Sequence, residues 1–277
     1  MSTLGIIAGG GELPSAIADC ALESGRPVFV AALEGAADSS VERFAHGWTS
    51  LGQTKSTLDL LHAHDCEEIV LAGKLPRPKW RDLKLDAHTA IRLPKILSAA
   101  ARGDDALLRS IVDLVEEAGF RVVSVAEAAP GLLASAGMLG RAKPSAQDQA
   151  DVTLGAQVVR ALGSLDVGQA AAVCNGLVLA VEAAEGTDAM LSRISSLPES
   201  LRGSASAKRG VLVKMRKPTQ DGRTDLPVIG RQTVRNAAAA GLAGIGVEAG
   251  AALILNKATV ASDADHAGLF VLGFSPP

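Results

Sequence analysis

Near the start of the chain, Leu4 to Ala8 form a short apolar run of strand length, followed by three consecutive glycines. From Pro14 to Glu23 the apolar positions recur at helical spacing, with proline near the helix start, where its missing N–H is harmless. The alternation then repeats. Val28–Ala32 predicts a strand, Thr54–His64 a helix with Leu58 and Leu61 on its apolar face, and Ile69–Ala72 a third strand. Two helical segments, Ala87–Ala101 and Asp104–Ala118, precede a further strand at Arg121–Val125. Strands spaced by helices predict a parallel sheet covered on both faces, a Rossmann-like doubly wound domain in the α/β class.

The segment Ala134–Asp148 breaks this rhythm with glycine, proline and charges, and is read as the interdomain connection. The expected organisation is a Rossmann-like N-terminal domain over 1–133, a linker over 134–145, and a C-terminal α/β catalytic domain over 146–277. Within the latter, Ala146–Leu162 predicts a helix, and Ala170–Cys174 and Leu177–Glu182 predict strands. Thr187 is expected to cap a helix. Gly210–Lys217, Gly244–Glu248 and Ala252–Leu255 predict strands, and Asn256 caps a short helix before a last strand at Leu269–Leu272. The pattern does not order these strands into a sheet.

Composition narrows the classes. A length of 277 residues suits two domains, and 48% hydrophobic against 21% charged residues suits packed cores rather than disorder. Five Phe, two Trp and no Tyr leave few rings for stacking on single-stranded nucleic acid, and a net charge of −3 provides no basic field for it. The three cysteines, Cys20, Cys66 and Cys174, have neither paired nor metal-like spacing and fit a reducing compartment. The N-terminus lacks a basic segment followed by a long apolar run, so no signal peptide is expected. The weakly polar stretch from Asn236 to Asn256 carries Glu248 and four glycines, which suits buried strand and helix better than a bilayer span.

Several groups could carry chemistry. The turn Gly9-Gly10-Gly11-Glu12-Leu13-Pro14 lies between a strand and a helix, where backbone N–H groups hold phosphates. It is equally a tight turn that needs glycine angles, and Pro14 stands at the third glycine position of a dinucleotide fingerprint. The loop from Lys74 to Arg81, with four cations and Trp80, either meets an anionic ligand or is a solvated basic loop. His62 and His64, two apart on a helix, face different directions and make a poor metal pair.

The densest chemistry runs from Lys208 to Arg235, with eight Lys/Arg and two Asp. Alternation along Val211–Arg216 places Lys214 and Arg216 on one face of a strand, which leads into Gln220, Asp221, Arg223 and Asp225. Carboxylates among cations at a strand end suit a magnesium ion with a diphosphate; a salt-bridged loop is the alternative. In Glu182–Met190, Thr187 and Asp188 satisfy ordinary helix-start rules, yet Glu182 and Asp188 also sit where metal oxygens would be useful. Glu248 is a weaker member of the same type.

Four segments, Gly5–Pro14, Val181–Met190, Val211–Gly230 and Ala240–Gly250, together resemble the LpxI family in order along essentially the whole chain. These are the UDP-2,3-diacylglucosamine diphosphatases of Gram-negative lipid A synthesis. The resemblance implies a Mg2+-dependent hydrolase that releases UMP and 2,3-diacylglucosamine 1-phosphate (lipid X), with water directed at the sugar-side phosphorus. The residue chemistry fits that task, with Asp225, Asp188, Asp221 and Lys214 expected as catalytic residues and Asp225, Asp188 and Glu182 on the metal. Gly10, Gly11, Lys74, Thr187, Arg216, Gln220 and Arg223 would bind substrate. A homodimer, cytoplasmic and touching the inner membrane peripherally, is the implied setting. The rival readings are a nucleotide-cofactor oxidoreductase and a non-catalytic UDP-sugar or lipid-binding module.

Overall fold

The computed structural model describes residues 2–75, 85–217 and 226–276. They fall into two units, one running to Gly131 and the other beginning at Leu132.

The first unit is built on five parallel strands: β1 (Thr3–Ala8), β2 (Val28–Leu33), β3 (His46–Thr49), β4 (Cys66–Ala72) and β5 (Arg121–Val122), in the order β3-β2-β1-β4-β5. Helices α1 (Leu13–Glu23), α2 (Thr54–Ala63), α3 (Ala87–Arg102) and α4 (Asp104–Glu117) make the crossovers. β2 reads V-F-V-A-A-L and is buried at every position, as a central strand covered on both faces must be. Leu58 and Leu61 of α2 pack with Phe29, Ile69 and Val122, so the apolar face read from the sequence is the one that meets the sheet.

Two features depart from the sequence pattern. β3 reads H-G-W-T, an edge strand with one fully buried residue, so it leaves no apolar run to detect. The strand expected over Arg121–Val125 pairs only at Arg121 and Val122. Ser124 then turns the chain into a short helix, α5 (Val125–Ala128), through a capping box in which the Ser124 hydroxyl accepts from Glu127 N–H.

The second unit carries a six-stranded mixed sheet in the order β6-β13-β11-β9-β7-β8, comprising β6 (Gly137–Leu139), β7 (Ala170–Cys174), β8 (Leu177–Val181), β9 (Val211–Lys214), β11 (Gly244–Glu248) and β13 (Phe270–Phe274). β9, β11 and β13 run parallel; β6 and β7 run antiparallel to β13 and β9. β10 (Val228–Ile229) and β12 (Leu253–Ile254) form a separate parallel pair. β6 lies in the segment expected to be a connection; it pairs instead with the last strand of the sheet.

One face of this sheet is covered by α6 (Ala146–Ser164), whose Val152, Ala156 and Val159 pack on Val211, Val213 and Phe270. A Cβ at Gly155 would lie 2.6 Å from a Val213 methyl, so glycine permits that helix to sit close. The other face is covered by α7 (Gly186–Ser195), α8 (Arg231–Ala239) and α9 (Lys257–Ala267), through Met190, Ile194, Val234, Ala237 and Val260. Asn256 caps α9 by accepting from Thr259 N–H at 3.1 Å, as its position predicts. The observed fold is therefore α/β with a parallel sheet and a second, mixed one. Among the described residues, no helix is long and apolar enough to cross a membrane.

Candidate functional site

In the first unit, the chemistry gathers at the carboxyl ends of β1 and β4. Gly10 N–H donates to Lys74 O and Lys74 N–H to Gly10 O, each at 2.8 Å, which ties the glycine turn to the loop after β4. Gly11 N–H donates to the Asp38 carboxylate at 2.6 Å. Asp38 follows β2, and nothing in the sequence pattern marked it. Both glycine N–H groups that were expected to meet a phosphate are thus engaged within the unit, one of them with a carboxylate. The Lys74 side chain is exposed beside them. Residues 76–84 of the basic loop, with Trp80, lie outside the described residues.

In the second unit, a buried polar chain joins the ends of β8 and β9 to the start of α7. Glu182, directly after β8, is 7% exposed, and Lys214, the last residue of β9, is 5% exposed. Lys214 Nζ donates to Thr187 Oγ1 at 2.9 Å and to Val228 O at 3.0 Å. Thr187 in turn donates its hydroxyl proton to Glu182 Oε1 at 2.7 Å. The other Glu182 oxygen accepts Gln169 N–H at 3.2 Å. A cation and a carboxylate are thereby buried together with a hydroxyl between them, the arrangement that makes burial of both tolerable.

This geometry corrects two expectations. Thr187 does not cap α7: the helix begins at Gly186 with Glu185 at its N-cap, and the Thr187 side chain serves Glu182 and Lys214. Nor do Lys214 and Arg216 share a strand face, because β9 ends at Lys214. Arg216 is exposed, and its backbone N–H donates to Glu248 Oε2 at 3.0 Å.

Asp188 is one residue from Thr187 but points elsewhere. It is exposed and accepts Asn236 Nδ2–H from α8 at 2.8 Å, and Asn236 in turn accepts from Gln232 at 2.8 Å. The structure thus unites Glu182, Thr187 and Lys214 and leaves Asp188 and Arg216 outside that group. Gln220, Asp221, Arg223 and Asp225 lie outside the described residues. Among the described residues, no group of three His, Cys, Asp or Glu side chains is placed to hold a metal ion.

Sequence reasoning missed Gln169 N–H, just before β7, and Val228 O of β10, which are backbone partners. Among the described residues, the buried Gln169 Oε1 has no hydrogen-bond partner. Two cysteines are ordinary buried thiols: burial raises the titration of both, that of Cys66 to about 11, which makes neither a ready nucleophile.

Comparison with known proteins gives matches over both units. The LpxI N-terminal domain model matches residues 3–132, and the LpxI C-terminal domain model matches residues 135–272. The chain is 44% identical over 276 residues to the UDP-2,3-diacylglucosamine pyrophosphatase LpxI of Caulobacter vibrioides, covering 100% of this chain and 99% of that protein.

Proposed function

The chain belongs to the LpxI family, and from that premise we propose that it hydrolyses the diphosphate of UDP-2,3-diacylglucosamine in lipid A synthesis. The products are UMP and 2,3-diacylglucosamine 1-phosphate. Water enters at the sugar-side phosphorus; its oxygen stays with the sugar phosphate, and the bridging oxygen leaves with UMP. The observation that carries this reading is the full-length identity to a curated enzyme of that name.

The residues of this chain support it chemically. A diphosphate resists attack because its oxygens are negative, so cations must draw charge from them as the new bond forms. Lys214 contributes such a cation, fixed at a strand end. Arg216 and Arg223 would neutralise further oxygens, and Gln220 would hydrogen-bond the diphosphate or sugar, whereas the Thr187 hydroxyl gives its proton to Glu182. Asp225, with Asp221, would orient the attacking water.

Magnesium dependence is part of the proposal and rests on Asp221 and Asp225. When bound, the ion would supply Lewis-acid withdrawal of charge from phosphate oxygens. Glu182 and Asp188 do not fit it as placed: the oxygens of Glu182 accept from Thr187 and Gln169, while Asp188 is turned to Asn236. A cytoplasmic homodimer touching the inner membrane peripherally completes the proposal, since the diacylated substrate lies in a membrane and cationic loops meet anionic headgroups.

The test is release of UMP from UDP-2,3-diacylglucosamine by the purified chain in 18O-labelled water, with and without EDTA. The label is expected in the sugar phosphate, and turnover is expected to collapse with EDTA and in Asp225→Asn. Absence of UMP release, or label in UMP, overturns the reading or its regiochemistry respectively.

A further inference from the structure

We infer that Glu182 is a positioning residue for Lys214, acting through the Thr187 hydroxyl, and is not a metal ligand. The inference rests on the proposed hydrolysis, in which Lys214 faces the diphosphate.

The directions of the hydrogen bonds admit only one order. An ammonium has donors and no acceptor, and an ionised carboxylate has acceptors only. Thr187 Oγ1 accepts from Lys214 Nζ at 2.9 Å, so its single proton goes to Glu182 Oε1 at 2.7 Å. The second oxygen of Glu182 is held by Gln169 N–H at 3.2 Å, from the residue that precedes β7. Lys214 is anchored a second time on Val228 O at 3.0 Å. These two ammonium protons are therefore directed by a hydroxyl of α7 and a backbone carbonyl of β10.

A lysine has four rotatable bonds, and it stabilises a developing charge only if its Nζ is already in place. The chain of Glu182 and Thr187 supplies that placement. It also sets a carboxylate one hydroxyl away from a lysine that is 5% exposed. Glu182 accepts the proton of a helix-start threonine whose hydroxyl oxygen meets Lys214.

Steady-state kinetics of Thr187→Val, Thr187→Ser and Glu182→Gln test this, each with UMP release, a magnesium titration and a thermal melt. Thr187→Val and Glu182→Gln are expected to lose kcat about 10- to 100-fold with KM changed less than about threefold, the mark of an interaction needed in the transition state. Thr187→Ser, which keeps the hydroxyl, is expected to recover most of that loss. The magnesium concentration giving half-maximal activity is expected to stay within about twofold in Glu182→Gln, because no ligand has been removed.

A readout independent of turnover accompanies these. Acetylation of Lys214 by acetic anhydride, followed by peptide mass mapping, is expected to rise several-fold in Thr187→Val and Glu182→Gln once the Nζ is released. A tenfold or larger rise in the magnesium requirement of Glu182→Gln makes Glu182 a metal ligand and overturns the inference. Wild-type kcat in a folded Thr187→Val overturns it as well. If Thr187→Val fails to fold, Glu182→Gln and the serine variant test the same chain from its other members. A wild-type chain that releases no UMP defeats the proposed function instead, and the acetylation comparison then still decides whether Glu182 holds Lys214.

Discussion

Gly10 and Lys74 exchange both of their backbone hydrogen bonds, each at 2.8 Å, across the gap between the ends of β1 and β4. Gly73 makes this crossing possible. Its φ is +94°, and a Cβ there would lie 2.7 Å from the Gly9 carbonyl carbon and 2.8 Å from Gly10 O. Gly73→Ala is therefore expected to destabilise the first unit by about 1–3 kcal/mol, combining left-handed strain with a backbone clash. Differential scanning calorimetry reads the result; an unshifted melt would show that the crossing is loose.

Asp151 is expected to be the most costly single carboxylate of the second unit. It is 1% exposed in α6 and accepts Asn175 N–H at 2.7 Å and Gly176 N–H at 2.8 Å. Those two residues turn β7 into β8 with φ of 51° and 76°. Asp151→Ala strands both N–H groups and is expected to cost about 2–4 kcal/mol. Asp151→Asn keeps one acceptor and falls between. Urea unfolding of the three proteins checks the order.

The folded state is expected to lose stability on acidification partly through Glu68. Burial pushes its carboxyl up, but hydrogen bonds from Arg121 and Arg26 outweigh that and hold it below the ordinary glutamate range. A depressed folded value means the contribution is full above the unfolded titration point, about pH 4.3, and is lost as pH falls through the lower folded value. Melting temperatures measured from pH 7 down to pH 3 should therefore decline less steeply in Glu68→Gln below pH 4.3. Equal slopes would remove Glu68 from the acid transition.

The parallel sheet of the first unit was legible because its central strands are continuous apolar runs, β2 above all, and because its helices keep an apolar face. What escaped was small or exposed: β3, with one buried side chain, and the turn from β5 into α5, decided by Ser124 and Glu127. In the second unit the individual strands were readable and their order was not, since pairing of β6 with β13 joins residues about 130 apart. The candidate site was half legible. Residue types marked Lys214 in one cluster and Glu182 and Thr187 in another, and the structure brings the three together. Their roles depended on which oxygen meets which proton, and helix-start rules pointed Thr187 at the wrong partner. Asp38 gave no signal at all, because its importance lies in a single contact with Gly11 across 27 positions.

The pairing of β6 with β13 sets an order on biosynthesis. Gly137–Leu139 is the first strand of its sheet to leave the ribosome, and its partner Phe270–Phe274 is the last. At bacterial elongation rates the interval is on the order of ten seconds. The N-terminal sheet, complete at β5, has all its strands before that wait begins. The half that carries Lys214 stays open at β11 and β6 until Phe270–Phe274 arrive, so a nascent chain stalled before them would present two bare strand edges to chaperones or to its neighbours.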